Sequence, residues 1–372
     1  MNVVVPKLGA VVMMAISLML ARCTGPVSSS GTSTKTTAAV HITARTQARV
    51  TPTAVTGAAG DLWLLGTYPC STGSCSAIMR STDGGKLFVR VGSLPMWVAK
   101  LMFANREDGY AYFPGPDVRT RIVYWTDDSG KSWQRVLTQI PGSLASPIVT
   151  SGGRAYVLVS KDCSTHGCKS LDIASSAVTG DGWTARPLPL TAHEVNSDVG
   201  LAALGSKVWI IVAVAGENAA VLVSDDGGRT FTNLPSRGME GGLDCTATAT
   251  SAMTIWGFCA TGLEGYGVRS TDGGRDFTTM SGWKDGAANG GVVLPLSDTE
   301  AIFLPGGPDT WLTRDGGRHF SPLLHFPNPS SHSEIAVAGK ATWLDLTPDE
   351  PHPLLRTTNG GQSWQSVKAL NV

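Results

Sequence analysis

Scattered through the chain are residues of the kinds that hold or cleave polar ligands. Tyr68, Arg119, His166, His193, Glu194, Glu217, Glu264, Tyr266, Trp283, Asp285, Asp309, Asp349 and Glu350 all fall in stretches between strand-like segments. Aromatic rings suit the apolar faces of sugars, and carboxylates accept from their hydroxyls. Two carboxylates set across a glycosidic bond would hydrolyse it. Glu264-x-Tyr266 places a base beside a phenol, the residue types of a covalent glycosidase. No fixed spacing ties these residues together, so any chemistry depends on a fold that makes them converge. Metal chemistry lacks its pattern. His166 is the one histidine inside a cysteine-bracketed loop, and neither Asp127-Asp128 nor Asp225-Asp226 opens a twelve-position calcium loop ending in Glu. No metal and no cofactor is expected.

The elements that would position these groups are set by a repeat. One octapeptide, Ser/Thr-x-Asp-x-Gly-x-x-aromatic, recurs with its acidic position at Asp83, Asp128, Asp226, Asp272 and Asp315, and with Asn359 in the last copy. Successive positions lie 45, 98, 46, 43 and 44 residues apart. The long interval is two periods, and a decayed copy around Asp181 and Trp183 lies midway. Each copy reads as a hairpin: a short strand, a turn with Gly in the left-handed region, and an aromatic re-entering the sheet. The Asp or Asn oxygen can accept backbone N–H bonds inside the turn. Two further strands per unit, such as Trp97–Phe103 and Tyr110–Phe113, complete four strands per period. Seven such units predict an all-β, seven-bladed β-propeller of four-stranded antiparallel blades over residues 48–372.

Composition agrees. The 372 residues carry 29 basic and 29 acidic side chains, which removes the electrostatic reason for a nucleic-acid partner. Forty-four glycines suit many tight turns. Residues 1–22 contain Lys7 and then an apolar run from Leu8 to Leu20, the length of a signal peptide rather than of a membrane span. Leu20-Ala21-Arg22-Cys23 resembles a bacterial lipobox, with Arg22 where that motif has a small residue. The resemblance implies acylation of Cys23 and anchoring to a membrane; the other reading is an ordinary cleaved signal. Residues 23–47 follow as a Ser/Thr-rich flexible spacer. The six other cysteines allow 15 pairings, and proximity favours Cys70–Cys75, Cys163–Cys168 and Cys245–Cys259. Disulfides belong to an oxidising compartment, which places the chain outside the cytoplasm.

The octapeptide resembles the Asp-box, or BNR repeat, found in sialidases, xyloglucanase-type glycosidases, sortilin-like receptors and photosystem II assembly-factor propellers. The resemblance implies that the repeat sits on the hairpin between the third and fourth strands, on the face away from the usual binding site. It makes Asp83, Asp128, Asp181, Asp226, Asp272, Asp315 and Asn359 structural. It also places the thirteen candidates in loops of the opposite face. Sialidase chemistry implies three arginines, a Tyr–Glu pair and a Phe/Tyr-Arg-Ile-Pro segment. The nearest stretch here, Arg121-Ile122-Val123-Tyr124, lacks the Pro and reads as a strand. The expectation is therefore a non-catalytic extracytoplasmic binding or scaffold lipoprotein for a cell-envelope glycan or protein, with a glycoside hydrolase as the alternative. Ring closure rests on side-chain packing of blade 7 against blade 1, or on a strand from Val40–Ala44 added to the last blade.

Overall fold

The structure, a computed structural model, describes residues 48–372 except 97, 114–121, 137–139, 141, 164–167, 181, 192–193, 197, 214–218, 240–243, 261–264, 282–290, 305–308, 326–333, 348–353 and 368–369. Residues Gln47–Val372 form one compact unit. The leader, Cys23 and the spacer lie outside the described residues.

Seven antiparallel sheets, each of four strands in sequence order, make the seven blades of a β-propeller. Blade 1 is Thr51–Ala58, Asp61–Cys70, Gly73–Ser81 and Val89–Gly92; blade 2 is Lys100–Phe103, Gly109–Tyr112, Val123–Thr126 and Gln134–Arg135. Blade 3 is Val149–Ser151, Arg154–Lys161, Ser170–Ala177 and Thr184–Pro187, with Ser143–Leu144 also paired to its second strand. Blades 4 and 5 begin at Asp198–Leu204 and Asp244–Ala249, and blades 6 and 7 at Val292–Pro295 and Glu334–Val337. First strands of neighbouring blades adjoin, as Thr51–Ala58 does with both Lys100–Phe103 and Glu334–Val337, so they line the centre. In an up-and-down blade the first-to-second and third-to-fourth connections share one end, here the turn face. The other connections share the opposite end, the loop face.

Some strands are displaced from the sequence expectation, each for a local reason. The first strand of blade 2 begins at Lys100 rather than Trp97, because Val98 N–H donates to Pro95 C=O at 3.1 Å and holds a turn there. The outer strand of blade 1 begins at Val89 rather than Leu87, because Leu87 N–H is taken by Asp83 Oδ1 at 3.1 Å.

The octapeptide turns share one hydrogen-bond scheme. In blade 1, Ser81 Oγ donates to Asp83 Oδ1 at 2.7 Å and accepts from Gly85 N at 2.8 Å. Asp83 Oδ1 also accepts from Lys86 N at 3.0 Å. Thr126/Asp128, Ser224/Asp226, Ser270/Asp272 and Thr313/Asp315 repeat it, and Asn359 Oδ1 takes the same place in blade 7, accepting from Thr357 Oγ1 and Ser363 N. The carboxylates are thus spent on the chain's own N–H groups, and they are acidified. Backbone and side-chain bonds from His319 hold Asp315 down at about 2, and the Thr230 hydroxyl and N–H push Asp226 lower still. At Asp83, Asp128 and Asp272 partial burial pulls upward, and the hydrogen bonds outweigh it.

Two successive residues in each of these six turns have positive φ, glycine everywhere except Ser129, at 72°. The second glycine is a contact point as well as a hinge. A Cβ on Gly85 would meet Leu344 and Arg356 of blade 7 at 3.2 Å, and one on Gly317 would meet Met280 of blade 5 at 2.5 Å. Each intact turn therefore presses on the blade before it.

The decayed copy has a different alignment from the one expected. Asp181 lies outside the described residues. Ser176 and Trp183 stand seven apart, as the first and last residues of every intact copy do, and that spacing puts Val178 in the Asp position. Val178 is buried, and Ser176 Oγ donates to Gly180 C=O at 3.1 Å instead of to a carboxylate. The aromatic survives: Trp183 packs edge-on to Tyr110, centroids 5.8 Å apart.

A second repeated position was not foreseen. One step along the second strand from the partner of each turn's Ser/Thr stand Trp63, Tyr110, Tyr156, Trp209 and Trp256 in blades 1–5, all fully buried; blades 6 and 7 have Ile302 and Leu344. Trp63 Nε1 donates to Ser129 C=O of blade 2 at 3.1 Å, and Trp209 Nε1 to Gly273 C=O of blade 5 at 3.0 Å. Tyr110 Oη reaches Ala177 C=O of blade 3 at 3.3 Å.

The ring closes with a small backbone clasp. Blade 7 draws all four strands from residues 334–366. Val50 N–H donates to Leu370 C=O at 2.8 Å and Val372 N–H to Ala48 C=O at 3.0 Å, around an Arg49–Asn371 bridge. Val40–Ala44 lies outside the described residues.

Candidate functional site

First strands enter from the loop face, so their first residues lie at the loop-face mouth of the channel. Two of these carry a charge pair. Glu334, on blade 7, forms an ion pair with Lys100 on blade 2. It reaches across blade 1, whose Val55 N–H donates to Glu334 Oε2 at 3.4 Å. Both side chains keep part of their surface in solvent, 44% for Lys100 and 29% for Glu334. Tyr112, the cross-strand partner of Lys100, ends the second strand of blade 2 at the same mouth. Burial pushes its phenol up to about 12, and the Glu334 charge adds to the effect although Ile148 N–H, at 3.3 Å, opposes it. Lys100, Tyr112 and Glu334 are strand residues, whereas the sequence places its candidates in loops. The signal available was a charge at the first position of an inner strand.

Two hairpins on the same face are clipped. Cys70–Cys75 closes the second-to-third strand connection of blade 1, and Cys163–Cys168 the same connection of blade 3. The enclosed segments are Ser71–Ser74 and residues 164–167, the latter outside the described residues. Thr72 Oγ1 lies 3.3 Å from Cys70 Sγ. The third bond, Cys245–Cys259, joins two directly opposed residues of blade 5 inside the core between blades 4 and 5.

Of the thirteen sequence candidates, four are described. Three are strand residues rather than loop residues, because the connections are shorter than expected. Tyr68 lies in the second strand of blade 1, opposite Cys75, half-buried, with the Arg90 guanidinium 5.2 Å from its ring centroid. Tyr266 is in the third strand of blade 5, opposite Cys259 and packed on the core. Asp309 opens the third strand of blade 6, opposite His325. Glu194 begins a single 3-10 turn between blades 3 and 4, where its Oε2 accepts from Thr191 N at 2.6 Å as a helix-type cap. These four belong to four different parts of the ring. Arg119, His166, His193, Glu217, Glu264, Trp283, Asp285, Asp349 and Glu350 lie outside the described residues.

No protein-family model matches the sequence, and no curated protein does. Solved structures do match in fold. YCF48 from Cyanidioschyzon merolae aligns over 86% of this chain and 98% of its own, at 14% identity and a TM-score of 0.53. YCF48 bound to D1 peptide aligns over 74% and 82%, at 14% identity and a TM-score of 0.50. The KlAtg21 complex with the coiled coil of AgAtg16 aligns over 86% and 99%, at 8% identity and a TM-score of 0.57. At these identities what is shared is the seven-bladed fold.

Proposed function

We propose that the chain is a non-catalytic, extracytoplasmic binding or scaffold lipoprotein of the Asp-box type. In this reading Cys23 carries the lipid, residues 23–47 space the propeller from the membrane, and the loop face receives a cell-envelope protein or glycan. The carrying observation is the meeting of three features on one face: two disulfide-clipped hairpins and the Lys100–Glu334 pair at the channel mouth. Clipped hairpins are pre-ordered, which lowers the entropy lost on binding. Glu334 is already engaged by Lys100 and Val55 N–H, which suits a charged recognition point better than a free acid or base. Three disulfides fit an oxidising compartment. Two of the solved propellers of this fold are described with a bound peptide or coiled coil, a precedent for protein ligands.

The test is a glycan and envelope-peptide array probed with the purified protein and with Lys100→Met. Specific binding weakened by Lys100→Met, with no turnover of aryl glycosides, supports the reading. Turnover abolished by Glu334→Gln would overturn it in favour of a glycoside hydrolase. Lipidation is read separately, by mass spectrometry of the N-terminus with Cys23→Ala as control.

A further inference from the structure

The outer strand of blade 1 departs from the other six at two positions. The residue before the turn aromatic is Ser132, Gly182, Thr230, Asp276, His319 or Ser363 in blades 2–7, and the residue after it is Gln134, Thr184, Thr232, Thr278, Ser321 or Gln365. All are polar or glycine. Blade 1 has Leu87 and Val89, exposed by 65% and 56%. They account for two of the five exposed large hydrophobic residues among those described. The first substitution also forgoes a bond that three of its counterparts make. Ser132 Oγ and Thr230 Oγ1 donate to the second carboxylate oxygen of their turn Asp at 2.6 and 2.7 Å, and His319 Nδ1 contacts it at 2.5 Å. Leucine has no group to offer Asp83 Oδ2. Exposed apolar residues where the other blades have polar ones or glycine break a local rule, and such departures are expected at functional surfaces.

Among the described residues this strand is the outer edge of its sheet, paired only with Gly73–Ser81. Its ladder stays regular from Val89 to Arg90 and shifts register beyond it. An unpaired, apolar edge is a template for strand addition. Parity then specifies the added strand. Within the strand the apolar Val89 and the exposed Arg90 face opposite ways, and the turn before it repeats the alternation in sequence with Lys86 and Leu87, both exposed. Among the described ion pairs neither cation takes part; Lys86 has the turn-bound Asp83 nearby, and Arg90 lies over Tyr68. A second copy would set these cations against each other. Residues 1–47 contain no Asp or Glu, so the chain's own N-terminus lacks the complementary charge.

We propose that the edge Leu87–Arg90 binds an extended segment of another protein by strand addition, with apolar side chains alternating with acidic ones. The test uses a fluorescein-labelled octapeptide of alternating Asp and Val, followed by anisotropy. The expected result is saturable binding, weakened at least tenfold by Leu87→Ser/Val89→Thr and absent for an alternating Lys–Val octapeptide. Leu87→Ser alone is expected to raise Tm by restoring the missing bond to Asp83, so loss of binding will not be loss of fold. Several results would overturn the proposal: no binding, equal binding of the Lys–Val peptide, or an unaffected double variant. So would a dimer seen by sedimentation that the double variant abolishes. Retention on phosphatidylglycerol vesicles without peptide binding would also reject it, in favour of a lipid surface.

Discussion

The junctions leading out of blades 1, 2, 4 and 5 and the junction leading out of blade 7 solve one problem differently. Every turn that presses on the preceding blade brings backbone carbonyls with it, and a buried carbonyl without a donor costs free energy. At the first group a large aromatic fills the space, and Trp63, Tyr110, Trp209 and Trp256 also carry the donor. At the last junction the aromatic is gone. Leu344 fills the space, and Arg356, its cross-strand partner, donates through Nε to Gly84 C=O. Packing and hydrogen bonding are united in one side chain at the junctions out of blades 1, 2, 4 and 5 and divided between two at the seam, while Tyr156 fills the junction out of blade 3 with no hydrogen-bond partner for its hydroxyl among the described residues. Every one of these positions supplies volume, and where a donor is present it need not be tryptophan.

The largest test of this contrast is truncation. Trp209→Ala is expected to lose about 3–5 kcal/mol, since a fully buried ring and its bond both go. Leu344→Ala should lose about 2–3 kcal/mol, because Arg356 remains. Equal losses in urea denaturation would remove the distinction. Arg356→Met comes next, at about 1–2 kcal/mol, for a charge-assisted bond to a half-exposed carbonyl. A loss near zero would mean the seam needs no donor.

Ser129→Gly reads the first junction from the other side. Ser129 supplies the carbonyl that Trp63 grips and holds φ at 72°, where its counterparts are glycines. Relief of that conformation is expected to add about 0.5–1 kcal/mol. Acid distinguishes the turns themselves. Asp315 has its folded value at about 2 against an ordinary 3.8, so its contribution is full above about 4 and is lost as pH falls toward 2. Turns built on Asp should loosen over that window while the Asn359 turn keeps its bonds. Amide exchange at Gly317 and Gly361, measured at pH 4 and 2.5, compares them; equal acceleration at both would contradict the assignment.

Much of the ring was legible before the structure, and what escaped did so for physical reasons. The turns announce themselves because their chemistry is local: a Ser/Thr, an Asp and a left-handed Gly within eight residues. The junction aromatics bond a different blade, so nothing near Trp209 in sequence points to Gly273. The decayed copy misled because Asp181 is a conspicuous acid, whereas the position that matters is occupied by an apolar residue, Val178. The candidate site was less legible. Tyr68, Tyr266 and Asp309 were assigned to loops, yet the strands extend through them, and a tight disulfide-closed turn such as Ser71–Thr72 leaves little loop. Lys100 and Glu334 are 234 residues apart and meet, across blade 1, only because ring closure brings blade 7 beside blade 1.

Because the second glycine of each intact turn leans on the blade before it, the ring has a direction. A chain that emerges N-terminus first can settle each such turn as soon as it arrives, against a surface already made. Blade 1 is the exception. Gly85 has to wait for Leu344 and Arg356, and Val50 for Leu370. Until those three residues are delivered, the first blade has one flank uncovered. Loss of residues 370–372 should therefore harm the oldest part of the molecule first, because their partners are residues 48–50, leading into blade 1.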